Sequence, residues 1–244
     1  MGFNNYSSNL EVSGEQAMVK RIIKLGMNEV FDVGANAGQY SKEFLRHSKA
    51  RVFAFEPMLD SYNELKKISD TNSRLVPFNF AIGANNYIGN IFFGSATDQL
   101  ATLSDAVLEI PYVGRNNSNS QKIEVRTLDS VLDELKKYYE IDKIDCIKVD
   151  TEGFEIDVLQ GATMVLRQYE PKVIIMEWNW HQLFRDATIW SVHKYLPNYK
   201  VFRVLPFQRG FYKVDVRSPV ENIAYYSNLV FIREDLETQF LDDL

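Results

Sequence analysis

The sequence predicts an α/β protein built on a mostly parallel sheet with helices on both faces, and three observations carry that prediction. Short apolar runs alternate with amphipathic ones along most of the chain; two runs, VFAF and VIIM, are apolar at every position; and four runs end on a carboxylate. Alternation of strand and helix signals is the mark of βαβ units, and a strand apolar throughout is one covered on both faces.

The elements follow in order. Ser13 stands three residues before Gln16, a capping-box spacing, and Met18, Ile22 and Leu25 recur at helical intervals up to Gly26. A helical extension over residues 1–28 should therefore lead into a single domain from 29 to 244. EVFDV is the first strand, followed by a helix carrying Tyr40, Phe44 and Leu45; RVFAFE is the second, followed by Tyr62, Leu65 and Ile68; LVPFNFAI is the third. NIFFGSA and KIEVRTL read as extra strands inserted after the third, with Leu128, Val131, Leu132, Leu135 and Tyr139 as a helical stripe behind them. IDCIKVD, then Ile156, Leu159 and Leu166, then PKVIIMEW complete the parallel set. YKVFRVLPF and SNLVFIRE read as two antiparallel strands closing the sheet edge. Residues 97–122, between the inserted strands, form a long stretch with a polar, Asn- and Ser-rich end, either a lid or a solvated surface loop.

Composition narrows the function classes. A 45% hydrophobic content fits a globular chain with a full core, and a formal charge of −6, from 33 acids and 27 bases, argues against a phosphate backbone or an anionic membrane as the main partner. Neither nucleic-acid binding nor membrane insertion is expected. The single cysteine, Cys146, reads as a small buried residue in a reducing compartment. The N-terminal residues lack the basic start and apolar block of a secretory signal, so a cytoplasmic protein is expected.

In open α/β sheets ligands bind outside the carboxyl ends of the strands, where Asp32, Glu56, Asp150 and Glu177 stand. Any one of them alone reads as a helix-capping carboxylate; four together, beside a glycine loop, point to a ligand rich in donors or positive charge. The loop Gly34-Ala35-Asn36-Ala37-Gly38 lacks the middle glycine of a dinucleotide fingerprint, and Asp32 just ahead of it would repel a pyrophosphate. No Gly-Lys-Ser/Thr follows, so a P-loop is excluded. S-adenosylmethionine carries a sulfonium and an ammonium where NAD carries phosphates, and fits better. Glu56, about one βαβ step beyond Asp32, stands where a ribose-binding acid is expected.

The segments FDVGANAGQYS, VFAFEP, RTLDSVLDELK, IDCIKVDTEGFEIDVLQGA and VIIMEW, in this order from Glu29 to Trp178, resemble the FkbM family of S-adenosylmethionine-dependent methyltransferases. KVDTEGFEIDVLQGA is the sharpest marker. The resemblance implies a Rossmann-like class I methyltransferase fold, seven strands with an antiparallel C-terminal hairpin, and O-methylation of a small molecule or glycan of sugar or polyketide type. By position it implies that Asp32, Gly34, Ala35, Asn36, Gly38 and Tyr40 hold the methionine half, Glu56 and Pro57 the ribose, and that Ala81 borders the adenine. Thr151 departs mildly from the family, which more often has an aliphatic residue there. Residues 1–28 and those beyond about Trp180 match no pattern and are expected to choose the acceptor.

Methyl transfer to a hydroxyl needs an in-line geometry and a group that draws off the proton. Asp150 and Glu152, at i and i+2 of an extended segment, lean to one face, one for the cofactor and the other for the acceptor. Glu152 equally reads as a first-turn helix carboxylate, and Glu155 as a solvated helix residue. His181, beside Glu177, is either a general base or a locally satisfied histidine. Asp150, Glu152, Glu177 and His181 lack the spacing of a metal motif, so no required metal is expected. Phe207, Phe211, Tyr212, Tyr225 and Tyr226, like Trp178, Trp180 and Trp190, read either as a flat wall for a ring or as packing. The alternatives are a non-catalytic S-adenosylmethionine-binding protein and a nucleic-acid methyltransferase. The second is disfavoured by the acidic balance and by the lack of a Pro-Pro-aromatic element.

Overall fold

The computed structural model describes residues 9–94, 100–207, 210–222 and 226–242; residues 97–99 of the expected lid, and Tyr225, lie outside the described residues. Eleven strands are described: β1 Glu29–Val33, β2 Arg51–Phe55, β3 Leu75–Phe78, β4 Ala81–Ile82, β5 Tyr87–Phe93, β6 Asn119–Arg126, β7 Cys146–Val149, β8 Val173–Trp178, β9 Tyr199–Val204, β10 Phe211–Lys213 and β11 Ser227–Arg233. Eight of them form one sheet in the order β10-β9-β11-β8-β7-β1-β2-β3, and β4-β6-β5 form a second. β8, β7, β1, β2 and β3 are mutually parallel, whereas β11 runs antiparallel to both β8 and β9. The α/β class holds. The sheet has eight strands rather than the seven the resemblance implied, because Phe211–Lys213 adds a short edge strand to β9, fixed by Phe211 packing on Phe240 at 4.7 Å.

Two further expectations are corrected. LVPFNFAI is not one strand: β3 ends at Phe78, and the Asn79 amide donates to the Glu56 and Pro57 carbonyls, turning the chain so that β4 joins the second sheet. Pro77 is tolerated in β3 because this is an edge strand, where a missing N–H breaks no ladder. The inserted strands β5 and β6 accordingly pair with each other and with β4, outside the main sheet. Ser13 does not cap the N-terminal helix. It ends a short helical turn, Leu10–Ser13, and the helix Glu15–Ile22 starts behind Gly14 at φ 87.

The two faces of the main sheet carry separate cores, as the period-two alternation of strand side chains requires. One joins Phe31, Phe53, Phe55, Ile147, Met176 and Trp178 to the helix Leu128–Leu135. The other joins Val30, Val52, Ala54, Cys146 and Ile175 to Met18, Val19 and Ile22 of the N-terminal helix and to Tyr40 and Phe44. Asp32 and Lys148 have the parity of the second face. The stretch expected to be a lid or solvated loop is partly helical, with helices Asp105–Leu108 and Pro111–Asn116 burying Val107, Ile110 and Val113 against Trp180. Among the described residues no helix is long and apolar enough to cross a membrane.

Phe53 is fully buried and meets Phe31 and Tyr139 edge-on, each at 5.2 Å. Phe53→Ala should lower stability by about 3–5 kcal/mol, seen in urea unfolding as a lower midpoint at an unchanged slope.

Candidate active site

A buried lysine sets the floor of the site. In the parallel register Asp32 of β1 lies opposite Lys148 of β7, so both side chains leave the same face. The Lys148 ammonium donates to the Gly34 carbonyl at 2.9 Å and pairs with Asp150 at 3.1 Å and Asp32 at 3.4 Å, beneath the Tyr40 ring. Burial pulls its pKa down, but the carboxylates of Asp150 and Asp32 outweigh that and hold it above the usual lysine range. The second Asp32 oxygen accepts from the Ser41 hydroxyl at 2.6 Å. Asp32 is thus sealed, fully buried and neutralised by Lys148, and does not reach the cavity.

Above this floor the glycine loop consumes its own donors. The N–H groups of Gly34 and Ala35 bond the Phe55 carbonyl, that of Asn36 bonds Glu56 Oε2 at 2.7 Å, that of Ala37 the Asn36 side chain, and that of Gly38 the Ala35 carbonyl. A loop so satisfied has no N–H left to cradle a diphosphate. Gly34, at φ 73, lies so close to β7 that a Cβ there would fall 1.8 Å from the Asp150 carbonyl oxygen. Glu56 accepts from Asn36 N–H on one oxygen and from Met58 N–H, at 2.8 Å, on the other. Burial raises its pKa to about 7 against the lowering effect of those two bonds.

After β7 the chain makes a turn with Glu152 at φ 52 and Gly153 at φ 100. Glu155 holds it. Its carboxylate accepts from Thr151 N–H and hydroxyl, from Gly153 N–H and from the Gln182 amide. Glu155 is therefore not the solvated helix residue its position suggested: it is 1% exposed and organises the turn. The turn delivers Asp150 and Glu152 to the carboxyl end of β8, where one carboxylate oxygen from each lies within 4.8 Å of one from Glu177. Burial, followed by the charges of Glu152 and Asp150, pushes the Glu177 carboxyl well above its ordinary value. Asn179 donates to Glu177 at 2.9 Å and accepts from the His181 N–H. His181 Nδ1 lies 2.9 Å from Glu152 Oε2, and burial lowers the imidazole's pKa.

These groups enclose a cavity with about 1130 Å³ of empty space including its mouth. Of the residues picked out in the sequence, Gly34, Ala35, Asn36, Tyr40, Glu56, Pro57, Ala81, Asp150, Glu152 and Glu177 line it. Asp32, Gly38 and His181 do not line it; Gly38 instead makes room for Leu65 and Ile68 of the following helix. Missed were Lys148, Glu15, Tyr226, and Ile91, Ala101 and Leu103, which the second sheet and its connection bring to the wall. Tyr226 was read only as an aromatic of unassigned role. Of the other aromatics, Trp178 is core and Trp190 stacks on His193, whereas Trp180 stands between Tyr112 and Tyr226.

The model of the methyltransferase FkbM domain matches residues 32–204. The hexuronic acid methyltransferase AglP of Haloferax volcanii is 27% identical over 164 residues, which are 64% of this chain and 60% of that protein. The chain therefore spans 60% of the length of this curated relative. Among solved structures, an S-adenosylmethionine-dependent methyltransferase from Agrobacterium tumefaciens aligns with TM-score 0.47 and 10% identity, covering 92% of this chain and 62% of that one. The C-terminal domain of precorrin-6Y C5,15-methyltransferase from Rhodobacter capsulatus aligns with TM-score 0.46 and 11% identity, covering 93% and 92%.

Lys148→Met leaves Asp32 buried without its counter-charge and should cost about 3–5 kcal/mol in chemical denaturation. Adding Asp32→Asn should restore part of that loss, and a double variant no more stable than the single one would show that the pair is not coupled.

Proposed function

Because the chain belongs to the methyltransferase FkbM family, we propose that it transfers a methyl group from S-adenosylmethionine to a hydroxyl oxygen of a glycan or other small molecule. The observation that carries this reading is the glycine loop whose five N–H groups are all engaged, beside a cavity lined by carboxylates. Such a cavity suits a ligand that donates hydrogen bonds and carries positive charge, and is poorly suited to a dinucleotide.

The residues present fit that donor. The missing Cβ of Gly34 keeps the loop against β7, Glu56 offers each oxygen's remaining lone pair to a ribose hydroxyl, and Ile82, Ile91, Ala101 and Leu103 give an apolar wall for a purine. Gly34, Ala35, Asn36 and Tyr40 would flank the methionine half. When bound, the donor supplies a sulfonium methyl that is released by in-line displacement. Asp150, Glu152 and Glu177 would then hold the acceptor hydroxyl, and one of these carboxylates accepts its proton as the oxygen–methyl bond forms and the sulfur–methyl bond breaks, leaving S-adenosylhomocysteine. Asp150 is fixed for this by Lys148, and Glu152 by its contact with His181. Residues 105–116 cover the acceptor side, and the segment ahead of them is tied down by the Thr102 hydroxyl, which donates to the Glu152 carbonyl at 2.7 Å. A sugar acid acceptor, as named for the Haloferax relative, is the first acceptor class to try.

Calorimetry should detect S-adenosylhomocysteine and give no comparable signal with NAD; tighter binding of NAD would overturn the reading. Incubation with labelled methyl donor and glucuronosyl oligosaccharides should yield a methyl ether, identified by mass spectrometry. A carboxyl methyl ester instead would refute the hydroxyl assignment.

Glu56 also sets a pH dependence. Burial raises its carboxyl to about 7 in the ligand-free protein, so it is largely protonated in acid, and hydroxyls donating to it favour the ionised form. Affinity for S-adenosylhomocysteine should therefore rise from about pH 5.5 to about pH 8 and level off, by about tenfold per unit that binding lowers the pKa. In the ligand-free protein the same shift gives stability that is complete in acid and is lost as pH rises through about 7. Glu56→Gln should bind more weakly and with a flat profile.

A further inference from the structure

We propose that Glu15, at the head of the N-terminal helix, is the counter-ion of the methyl donor's amino group: its carboxylate receives the ammonium of the methionine half of S-adenosylmethionine. This inference rests on the methyl-transfer reading of the same cavity, and it names a binding residue outside residues 32–204, the part of the chain that the FkbM model matches.

The backbone puts Glu15 there. Gly14, at φ 87, sets the start of the helix Glu15–Ile22 against the chain just beyond β9, where a Cβ would fall 2.3 Å from the Leu205 carbonyl oxygen. The Phe207 N–H donates to the Val12 carbonyl and fastens the turn ahead of it. Met18, Val19 and Ile22 pack the helix on the sheet face that Val30, Cys146 and Tyr40 share, and Glu15 lines the cavity together with Gly34, Ala35, Tyr40 and Asp150. A first-turn carboxylate ordinarily faces water, where the helix dipole is reason enough for it. Glu15 is only 8% exposed.

Its partners leave its charge unanswered. The Ser13 hydroxyl donates to Oε2 at 2.8 Å, the Asn228 amide donates to Oε1 at 2.5 Å, and the Tyr40 hydroxyl also favours the ionised form. All three are uncharged. Asn228 stands opposite Glu177 in the β8–β11 register, so the site adjoins a second buried acid, while Lys148 is committed to Asp32 and Asp150. Burial outweighs the hydrogen bonds and raises the Glu15 carboxyl above its ordinary range, and the Asp150 charge adds to the rise. A buried carboxylate with neutral partners alone costs free energy until a cation pairs with it.

The chemistry of the donor identifies that cation. A sulfonium has no N–H, whereas a primary ammonium has three and needs several acceptors, which a carboxylate with about four lone-pair sites can supply beyond the bonds it already accepts. The resemblance implied Asp32 for the methionine half, but Asp32 is sealed beneath Lys148 and Ser41, so another acid must meet the ammonium. Glu15 stands next to Tyr40, which the same resemblance placed at the methionine half. Residues 1–28, expected from the sequence to choose the acceptor, thus contribute to the donor's side of the cavity.

The test is calorimetry at about pH 8, where Glu56 is ionised, with S-adenosylhomocysteine and with its desamino analogue, in which hydrogen replaces the ammonium. The wild type should bind S-adenosylhomocysteine at least about tenfold more tightly than the analogue. Glu15→Gln should weaken S-adenosylhomocysteine by about tenfold or more and leave the analogue within about twofold, whereas a merely structural role would weaken both alike. Glutamine keeps an oxygen for Ser13 or Asn228, so the variant should retain the wild-type circular dichroism; should it fail to fold, the same comparison in Glu15→Ala decides. Equal losses for the two ligands, or an unchanged affinity for S-adenosylhomocysteine in the folded variant, overturns the proposal. Wild-type protein that binds both ligands equally well overturns it too, and leaves the methyl-transfer reading standing. Wild-type protein that binds neither removes the donor assignment itself, and the role of Glu15 with it.

Discussion

One ammonium group, that of Lys148, holds together everything else at the site. It lies between a carboxylate on each of two adjacent strands and the first carbonyl of the glycine loop, with 3% of its side chain exposed. A charge removed from water in this way persists only if it is paired and hydrogen-bonded, and here one cation answers two acids. The parallel register provides the geometry: Asp32 lies opposite Lys148, and the positions two residues on, Gly34 and Asp150, follow on the same side. The consequence is a floor in which Asp32 is internal, leaving Glu15, Glu56, Asp150, Glu152 and Glu177 as the acids that line the cavity.

Two turns built on this floor line the cavity. In one, the glycine loop closes tightly, because Gly34 admits the Asp150 carbonyl where a side chain could not, and its N–H groups are spent on Phe55, Glu56, Asn36 and Ala35. In the other, Glu155 gathers the N–H groups of Thr151 and Gly153 and fixes Glu152 in a left-handed conformation that few non-glycine residues adopt. Strain of that kind survives only where its surroundings over-determine it, and the Glu155 network does so. The second sheet then supplies the apolar wall. Charge and shape thus point the same way: a donor-rich, positively charged ligand with an apolar ring, next to a carboxylate cluster.

Much of this was legible in the sequence, and the exceptions have physical causes. Apolar runs such as VIIM marked strands covered on both faces, and β8 is buried throughout. Three of the four strand-end acids, Glu56, Asp150 and Glu177, line the cavity because their strands are parallel members of one sheet, whereas Asp32 lies inside it. Lys148 escaped notice because a lone lysine in CIKV looks like an ordinary exposed strand position. The signal available was that a strand otherwise apolar on both faces leaves no solvent side for an ammonium, which must then pair with Asp150 two residues on. Glu155 was misread because helix position alone does not reveal that the preceding turn needs an acceptor. The break between β3 and β4 depends on Asn79 capturing two carbonyls, a tertiary contact that local propensity does not encode. Repulsion by Asp32, which the sequence suggested as the reason to exclude a diphosphate, is replaced by the engaged N–H groups of the loop, since Lys148 neutralises that acid.

The central claim is that the loop and the Lys148 floor together orient a positively charged adenosyl donor, with ribose at Glu56 and the charged end towards Asp150 and Glu177. A crystal structure of the S-adenosylhomocysteine complex tests it most directly. The account predicts ribose hydroxyls on the Glu56 carboxylate, the purine against Ile91 and Leu103, and Lys148 still clamped between Asp32 and Asp150. A ligand in the opposite orientation, or an anionic group seated on the N–H groups of Gly34 to Gly38, would contradict it.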